Sequence, residues 1–198
     1  MTVFIIDDDT AVLDSLTLMI EQAELKVQAF QSAHAFLECY RSGMKGCVIL
    51  DIKMPEIDGM QLQQMLIDLK VPLPIIFLTG HGNIPMSVKA MKKGASDFLI
   101  KPIKRDKLMA CIEFAFEECK NWHFRQASQQ HAQKLLATLT EREKEVMRLA
   151  LIGQANKQIA VELGISHRTV EIHKARVLQK TGVDNLLELA RIVADTAA

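Results

Sequence analysis

Short apolar segments alternate with longer amphipathic ones through the first 118 residues of the chain. The short segments are bounded by turn-forming residues, which is typical of strands, and the longer ones repeat their apolar positions at helical spacing. Five strands that alternate with five helices predict right-handed βα units, a parallel sheet and therefore an α/β fold. The predicted strands span residues 3–6, 26–30, 47–51, 75–78 and 97–100, and the predicted helices span residues 10–23, 32–40, 60–69, 85–93 and 105–118.

Capping residues agree with these boundaries. Thr10 and Ser32 stand where two helical patterns begin, and a hydroxyl at that position can accept a hydrogen bond from a free backbone amide. Gly94 follows the fourth helical pattern and can end that helix in the left-handed conformation. We therefore expect Thr10 and Ser32 to cap the first two helices and Gly94 to terminate the fourth.

The pattern after residue 118 is helical throughout. Residues 119–137, rich in Gln, Ser and His, predict a linker that prolongs the fifth helix and frays. Thr140 and Glu143 then have the spacing of a capping box. Two short helical patterns separated by Gly164, with Ser166 as the cap of the second, predict a helix-turn-helix. The predicted organisation is a domain at 1–118, a helical linker at 119–137 and an all-α four-helix domain at 138–198, with one helix ending near residue 152 and three at 156–163, 166–180 and 185–193.

Composition narrows the class of protein. Of the 198 residues, 49% are hydrophobic, and no apolar run approaches the roughly 20 residues that a membrane helix needs. The N-terminus enters a strand without the basic region or cleavage site of an export signal. The four cysteines form no C-x-x-C pair and have no histidine at zinc spacing, so we expect reduced thiols. Together these features predict a soluble, cytoplasmic protein with no membrane partner.

The formal net charge of zero conceals an asymmetry. Residues 1–118 contain 12 Lys and Arg against 16 Asp and Glu, whereas residues 119–198 contain 12 against 8. An acidic first part is thus joined to a basic second part. This difference predicts an anionic partner for the second part.

Polar residues stand at the carboxyl ends of four predicted strands: they are Asp7, Asp8, Asp9, Asp51, Thr79 and Lys101. The carboxyl ends of parallel strands share one edge of the sheet, where open α/β sheets bind ligands, so we expect these side chains to converge. Converging carboxylates repel one another unless a cation holds them, and a set of oxygen ligands suits Mg²⁺. A carboxylate beside Mg²⁺ and a lysine can attack phosphorus. The pattern therefore predicts that Asp51 becomes an aspartyl phosphate.

Each of these residues also has an ordinary structural interpretation. An Asp at a strand end often caps a helix or forms a turn, Thr79 can occupy a turn, and Lys101 can be a solvated charge. A Mg²⁺-dependent phosphohydrolase is another interpretation of the set. Such enzymes commonly place an acid two residues after the nucleophile, where this chain has Lys53, and this departure disfavours that interpretation.

The first domain resembles the receiver domain of two-component response regulators. The resemblance is carried by Phe4-Ile5-Ile6-Asp7-Asp8-Asp9, Leu50-Asp51-Ile52-Lys53-Met54-Pro55 with Asp58-Gly59, Leu78-Thr79-Gly80-His81-Gly82, and Gly94-Ala95-Ser96-Asp97-Phe98-Leu99-Ile100-Lys101-Pro102. It covers about residues 1–118 and implies a flavodoxin-like (βα)5 fold with strand order 2-1-3-4-5. It also implies that a sensor histidine kinase phosphorylates Asp51. The implied Mg²⁺ ligands are Asp8, Asp51 and the Lys53 carbonyl, assisted by Asp7.

The same resemblance implies a switch. Lys101 is expected to pair with the phosphoryl oxygens, Thr79 to turn its hydroxyl toward one of them, and Phe98 to rotate inward. The helix at residues 85–93 and the strand at residues 97–100 would then be remodelled and pair with a second copy of the chain. One new charge would thus bias a two-state element.

The second domain resembles the LuxR-type DNA-binding domain. The resemblance is carried by Asn156-Lys157-Gln158-Ile159-Ala160, Leu163-Gly164-Ile165-Ser166, Thr169-Val170-Glu171-Ile172-His173 and Lys180-Thr181-Gly182-Val183, within about residues 138–196. It implies that the second helix of the helix-turn-helix enters the major groove of promoter DNA. Glu171, Ile172 and Ala175 are expected to face base edges. The other residues of the predicted DNA-binding set are Lys157, Ser166, Arg168, Thr169, Lys174, Arg176 and Lys180.

Two positions depart from the common LuxR-type pattern. Ala155 replaces a serine that could cap its helix, and Glu171 stands where many relatives have lysine, which fits the FixJ branch. We therefore predict a FixJ-type response regulator that is a phosphoryl acceptor and transcription factor, not an enzyme, with RNA polymerase as a further candidate partner. Its phosphorylation is expected to free the second domain and to pair two receivers. The alternative is a DNA-binding regulator whose receiver is a scaffold that is never phosphorylated.

Overall fold

Five parallel strands form a sheet in the order β2-β1-β3-β4-β5. The strands are β1 Thr2–Ile6, β2 Lys26–Phe30, β3 Gly46–Leu50, β4 Ile75–Thr79 and β5 Asp97–Ile100. The structure is a computed structural model that describes residues 1–80 and 84–197, with side chains as far as Ala194. The parallel pairing and the strand order confirm the predicted flavodoxin-like fold.

Helices cover both faces of this sheet, and they are α1 Thr10–Glu21, α2 Ala33–Cys39, α3 Gly59–Asp68, α4 Ile84–Lys92 and α5 Arg105–Ala137. Successive strand residues point to opposite faces, so the sheet has two apolar cores. Phe4 and Leu50 pack with Leu62 of α3 on one face. On the other face Ile5 packs in a cluster with Ile112 of α5. Burial on both faces explains why the central strands are apolar throughout.

Local capping confirms two of the three predicted helix ends and corrects the third. The Ser32 hydroxyl accepts from the Ala35 amide at 3.2 Å, and Gly94 has a φ of +86° just beyond α4. Thr10, however, is the first residue of α1, and the preceding Asp9 is its cap, accepting from the Ala11 amide at 2.9 Å. The Asp9 carboxylate therefore makes the contact that was predicted for the hydroxyl one residue later.

The fifth helix continues without a break through the predicted linker. It runs from Arg105 to Ala137, so the expectation that it frays is wrong. The chain divides into two compact units, and the division falls within this helix, between Trp122 and His123. Within the described part of the chain, no helix has the length and apolarity required to cross a membrane.

The second unit contains four further helices, α6 Glu141–Leu151, α7 Asn156–Leu163, α8 His167–Thr181 and α9 Leu186–Ala197, as predicted. Ile159 of α7 and Val170 of α8 are completely buried in its core. Thr140 and Glu143 form the predicted capping box, with the Thr140 amide donating to Glu143 Oε2 at 2.8 Å. Gly164 adopts a φ of +64° in the turn between α7 and α8, a conformation that other residues rarely adopt.

Candidate functional site

Backbone hydrogen bonds align three of the predicted site residues at one edge of the sheet. The amide of Asp7 donates to Phe30 O at 3.1 Å, and that of Asp51 donates to Ile6 O at 2.9 Å. Each therefore extends a ladder of strand hydrogen bonds by one residue. The amide of Lys101 does the same on the other side of the sheet, at 2.9 Å from the carbonyl oxygen at the end of β4. Asp7 and Asp51 begin at the same level because β1 and β3 end in register at Ile6 and Leu50. Lys101 begins two residues further along the sheet, beyond the end of β5, and its long side chain spans that difference.

An ion triad joins these side chains. Lys101 Nζ lies 2.5 Å from Asp7 Oδ2 and 3.1 Å from Asp51 Oδ1. Both carboxylates are buried, with exposed fractions of 3% for Asp7 and 6% for Asp51. One ammonium group therefore balances part of the charge of two carboxylates that have little exposure to solvent.

The remaining carboxylate oxygens accept backbone hydrogen bonds. Asp51 Oδ2 accepts from the Lys53 amide at 2.6 Å, and Asp7 Oδ1 accepts from the Asp9 amide at 3.1 Å. All four oxygens thus have a donor, which holds both carboxylates in one orientation. The loops after β1 and β3 therefore position these carboxylates as much as Lys101 does.

Burial and charge shift the ionisation of two members of the triad. Burial is the largest influence on Asp7 and raises its pKa above the ordinary 3.8, although Lys101 and the Asp9 amide act in the opposite direction. Burial lowers the pKa of Lys101, but hydrogen bonds and charge interactions with Asp7 and Asp51 together outweigh burial and raise it above 10.5. Lys101 therefore remains a cation at neutral pH.

The start of α3 packs directly on the backbone of Asp51. A Cβ atom at Gly59 would lie 2.2 Å from the carbonyl oxygen of Asp51, which is far inside contact distance. The Gly59 amide also donates to Ile52 O at 2.9 Å. Asp58 caps α3 in a capping box with Gln61. The sequence pattern alone assigns no role to Asp58 and Gly59, and these contacts give Asp58 a capping role and Gly59 a steric one.

The other residues predicted for the receiver site differ in exposure. Asp8 is exposed, whereas Thr79 at the end of β4 is 1% exposed. Phe98 in β5 is half-buried, with its ring centroid 6.0 Å from that of Phe77. His81, in the segment after Thr79, lies outside the described residues.

The described acidic side chains at this edge are not grouped as a ready three-ligand metal site, and the Mg²⁺ ligands stay a prediction. Within residues 1–80 and 84–197, no three His, Cys, Asp or Glu side chains are grouped so as to hold a metal ion. Lys101 supplies the positive charge between Asp7 and Asp51, and Asp8 is exposed. The available donors are nevertheless all oxygens, and each carboxylate oxygen can accept a further interaction. Two carboxylates and a carbonyl with water ligands remain compatible with Mg²⁺.

In the second unit, α8 presents the predicted DNA-facing residues. Arg168, Glu171, Ile172, Ala175 and Arg176 are exposed on α8, as is Lys157 on α7. The Ser166 hydroxyl caps α8 by accepting from the Thr169 amide at 3.1 Å, and the two hydroxyls lie 2.8 Å apart. Lys174 Nζ donates to Asn156 Oδ1 at 3.0 Å, which ties α8 to the start of α7.

An exposed residue at the start of α8, His167, was not in the predicted DNA-binding set. His167 Nδ1 lies 3.6 Å from Glu171 Oε1, one helical turn away. The position of His167 directly after the Ser166 cap could have indicated a candidate DNA contact, because the N-terminal residues of recognition helices contact base edges.

Lys180 is assigned differently by the structure. Its Nζ donates to Glu143 Oε2 at 2.7 Å and to Thr138 O at 3.3 Å. Glu143 is 2% exposed, and its pKa falls to about 2, first because of the Lys180 hydrogen bond and second because of the Thr140 amide. Lys180 therefore joins the end of α8 to the start of α6, and its predicted DNA contact stays a prediction.

Two family models match this chain. Residues 3–113 match the response regulator receiver domain, and residues 137–193 match the bacterial regulatory proteins of the luxR family. The chain belongs to the response regulators. A relative covering nearly the whole chain, the transcriptional regulatory protein FixJ of Bradyrhizobium diazoefficiens, is 40% identical over 96% of this chain and 93% of its own. The response regulator protein TodT of Pseudomonas putida is 37% identical over 96% and 84%.

Solved structures of response regulators agree with this assignment. The response regulator StyR is 39% identical to this chain, the match covers 98% of each of the two chains, and the TM-score is 0.85. Full-length FixJ from B. japonicum is 38% identical, covers 99% of this chain and 97% of its own, and has a TM-score of 0.61. The chain is thus a FixJ-type response regulator of a two-component system that controls transcription. A receiver implies a sensor kinase as partner, and the luxR-family domain implies DNA binding.

Proposed function

We propose that Asp51 is the residue of this response regulator that accepts the phosphoryl group. The observation that carries the proposal is the triad, in which Lys101 Nζ lies 2.5 Å from Asp7 and 3.1 Å from Asp51. Asp51 directly follows the central strand β3, and its two oxygens accept from the Lys101 ammonium group and from the Lys53 backbone amide.

In the proposed step a carboxylate oxygen of Asp51 attacks the phosphorus of a phosphohistidine on the sensor kinase. The new P–O bond forms as the P–N bond breaks, and the leaving imidazole keeps the electron pair and takes up a proton. Lys101 stabilises the negative charge on the transferring phosphoryl oxygens. The chain accepts a group in this step and is not assigned an enzymatic reaction of its own.

Receiver domains generally bind Mg²⁺ at the phosphorylation site. In this chain we assign the ion to Asp8, Asp51 and the Lys53 carbonyl, with Asp7 in support. The ion would supply positive charge to the phosphoryl oxygens. The chain's own contribution is to orient Asp51 through the Lys53 amide, at 2.6 Å, and to carry the exposed Asp8 directly after Asp7 in the chain.

We propose that phosphorylation acts on the neighbouring edge of the sheet. Thr79 is the last residue of β4, and β4 pairs with β5, which carries Phe98. The Thr79 hydroxyl would donate a hydrogen bond to a phosphoryl oxygen, and Phe98 would move inward. The α4 helix carries exposed Val88 and Met91, and Ile100 of β5 is also exposed. This apolar surface is suited to pairing with the same surface of a second copy.

For DNA binding we propose that α8 is the recognition helix. Glu171, Ile172 and Ala175 face base edges, where a carboxylate can accept from cytosine N4. The residues proposed to contact phosphates or to fix the helix start at the backbone are Lys157, Ser166, Arg168, Thr169, Lys174 and Arg176. Two paired receivers would bring two such helices to a promoter site with two-fold symmetry. The bound dimer would there activate or repress transcription by RNA polymerase.

Phosphorylation by a small acyl-phosphate donor with Mg²⁺ tests the acceptor. The full chain should be labelled, Asp51→Asn should lose the label, and Asp14→Asn, which changes an exposed carboxylate on α1, should keep it. The label should be lost in alkali, as expected for an acyl phosphate. Equal labelling of the native chain and Asp51→Asn would remove Asp51 from this role. An unlabelled native chain would favour the scaffold alternative.

A further inference from the structure

Helix α4 is attached to its unit by few buried groups. Of its residues 84–92 one, Ala90, is buried. Ile84, Val88 and Met91 are exposed to 79%, 45% and 44%. Ala90 and the partly buried Met86 pack against the apolar core, which is limited apolar contact for a nine-residue helix, so polar contacts at its end become important.

Two adjacent glutamines of α3 make those contacts. Gln63 Nε2 donates to Ala90 O at 3.1 Å in a fully buried hydrogen bond. Gln64 Oε1 accepts from Lys93 Nζ, just beyond α4, at 2.7 Å. Both contacts lie at the C-terminal end of α4, so this end is held against α3.

Gln63 is an unusual residue at such a place. Its side chain is 1% exposed, and its Oε1 has no hydrogen-bond partner among residues 1–80 and 84–197. A buried acceptor without a partner destabilises a fold, so an apolar residue of the same length would serve packing better. The Ala90 carbonyl does not depend on Gln63, because the amides of Lys93 and Ala95 also donate to it, each at 3.2 Å.

We infer that Gln63 is a positioning residue that sets the resting place of α4. Its amide favours one register of α4 on α3, because that register gives its N–H a buried partner. The inference rests on the proposed remodelling of α4 after phosphorylation of Asp51. A displaced α4 has to break the bond between Gln63 and Ala90, so this bond opposes switching in the unphosphorylated chain.

Hydrogen exchange of the full chain tests this role. Gln63→Met removes the amide and keeps the length of the side chain, and Gln28→Met makes the same change at an exposed position on the edge strand β2. Each protein is measured with and without beryllofluoride, which imitates a phosphoryl group on a carboxylate. In the native chain, beryllofluoride should speed exchange at the C-terminal end of α4.

For Gln63→Met we expect resting exchange at this end to be about threefold to tenfold faster, the effect of removing one net hydrogen bond. Beryllofluoride should then add little. Gln28→Met should behave like the native chain. Sedimentation of the same samples should also reveal stronger self-association of resting Gln63→Met.

Unchanged resting exchange of α4 in Gln63→Met would overturn the role of Gln63. Faster exchange spread evenly over the receiver would also overturn it, because that result indicates reduced stability and not altered positioning. If beryllofluoride does not change the exchange of α4 in the native chain, the result contradicts the proposed switch instead. Failure of the switch can therefore be distinguished from failure of the role of Gln63.

Discussion

Lys180→Met separates two roles of a basic residue on the recognition helix. The sequence places Lys180 among the cations that could neutralise DNA phosphates, whereas the structure pairs it with buried Glu143. A phosphate contact would affect DNA binding and its salt dependence. An internal ion pair would affect the stability of the DNA-binding domain.

The expected decrease in stability follows from the contacts. The substitution leaves Glu143, which is 2% exposed, without the ammonium group at 2.7 Å, and it removes a weaker bond to Thr138 O at 3.3 Å. A hydrogen bond to a charged group contributes about 1.5–3 kcal/mol, and the 36% exposure of Lys180 reduces this value. We expect a decrease of about 1–2 kcal/mol, or roughly 5–15 °C in the melting temperature of a domain of this size.

The pH dependence provides an independent check. The pKa of Glu143 falls from 4.5 to about 2 in the folded domain, so its ion pair contributes stability above pH 4.5 that is lost as the pH falls toward 2. Lys180→Met should therefore be less stable than the native chain at pH 7. The difference should shrink over the window from pH 4.5 to 2.

Thermal denaturation and DNA titrations at several salt concentrations measure both roles. Arg168→Met is the matched control, because Arg168 is exposed near the start of the same helix. It should melt like the native chain and reduce the salt slope by about 0.9 for each phosphate that is no longer neutralised. Lys180→Met should melt lower and keep the native slope. A Lys180→Met protein with native stability and a reduced slope would refute the structural role.

Three further substitutions test other contacts. Burial raises the pKa of Asp7, so ionisation of Asp7 destabilises the receiver as the pH rises above 3.8. Asp7→Asn should therefore raise the melting temperature at pH 7, and this gain should disappear as the pH falls toward 3.8. A lower melting temperature of Asp7→Asn at pH 7 would contradict the reasoning. Gly59→Ala would place a Cβ atom 2.2 Å from Asp51 O, so it should destabilise the receiver by about 1–3 kcal/mol in urea denaturation and slow the phosphorylation of Asp51. Phosphorylation of Gly59→Ala at the native rate would show that the close contact is unimportant. Ala155→Ser should supply the missing cap of α7 and stabilise the second unit by about 0.5–2 kcal/mol, with Ser166→Ala as the opposite change; equal unfolding midpoints would argue against both caps.

Helix ends were predictable where they depend on close neighbours. Ser32, Thr140 and Ser166 cap helices because each finds its amide partner three residues along the chain. The error at α1 has the same local origin, since Asp9 and Thr10 can both cap a helix. The cap is decided by the residue at which the chain leaves β1 and turns, and the sequence pattern leaves that point uncertain by one position.

The candidate site was predictable in its membership but not in its contacts. Strand ends in a parallel sheet share an edge, so the placement of Asp7, Asp51 and Lys101 followed from periodicity alone. The ammonium bridge between the two carboxylates depends on side chains 94 and 50 residues apart in the chain. The pattern predicted that the lysine and the carboxylates converge, and the structure adds that the lysine lies between Asp7 and Asp51.

The amino-acid sequence by itself determined the α/β and helical units, the strand edge that carries the acidic residues, and the exposed basic helix, because these features depend on periodicity and local hydrogen bonding. Tertiary structure decided which charges are paired and which small residues are indispensable. Lys180 meets Glu143 across 37 residues, and Gln63 meets Ala90 across 27. Such contacts depend on how helices pack, and packing brings together residues whose spacing in the chain carries no signal.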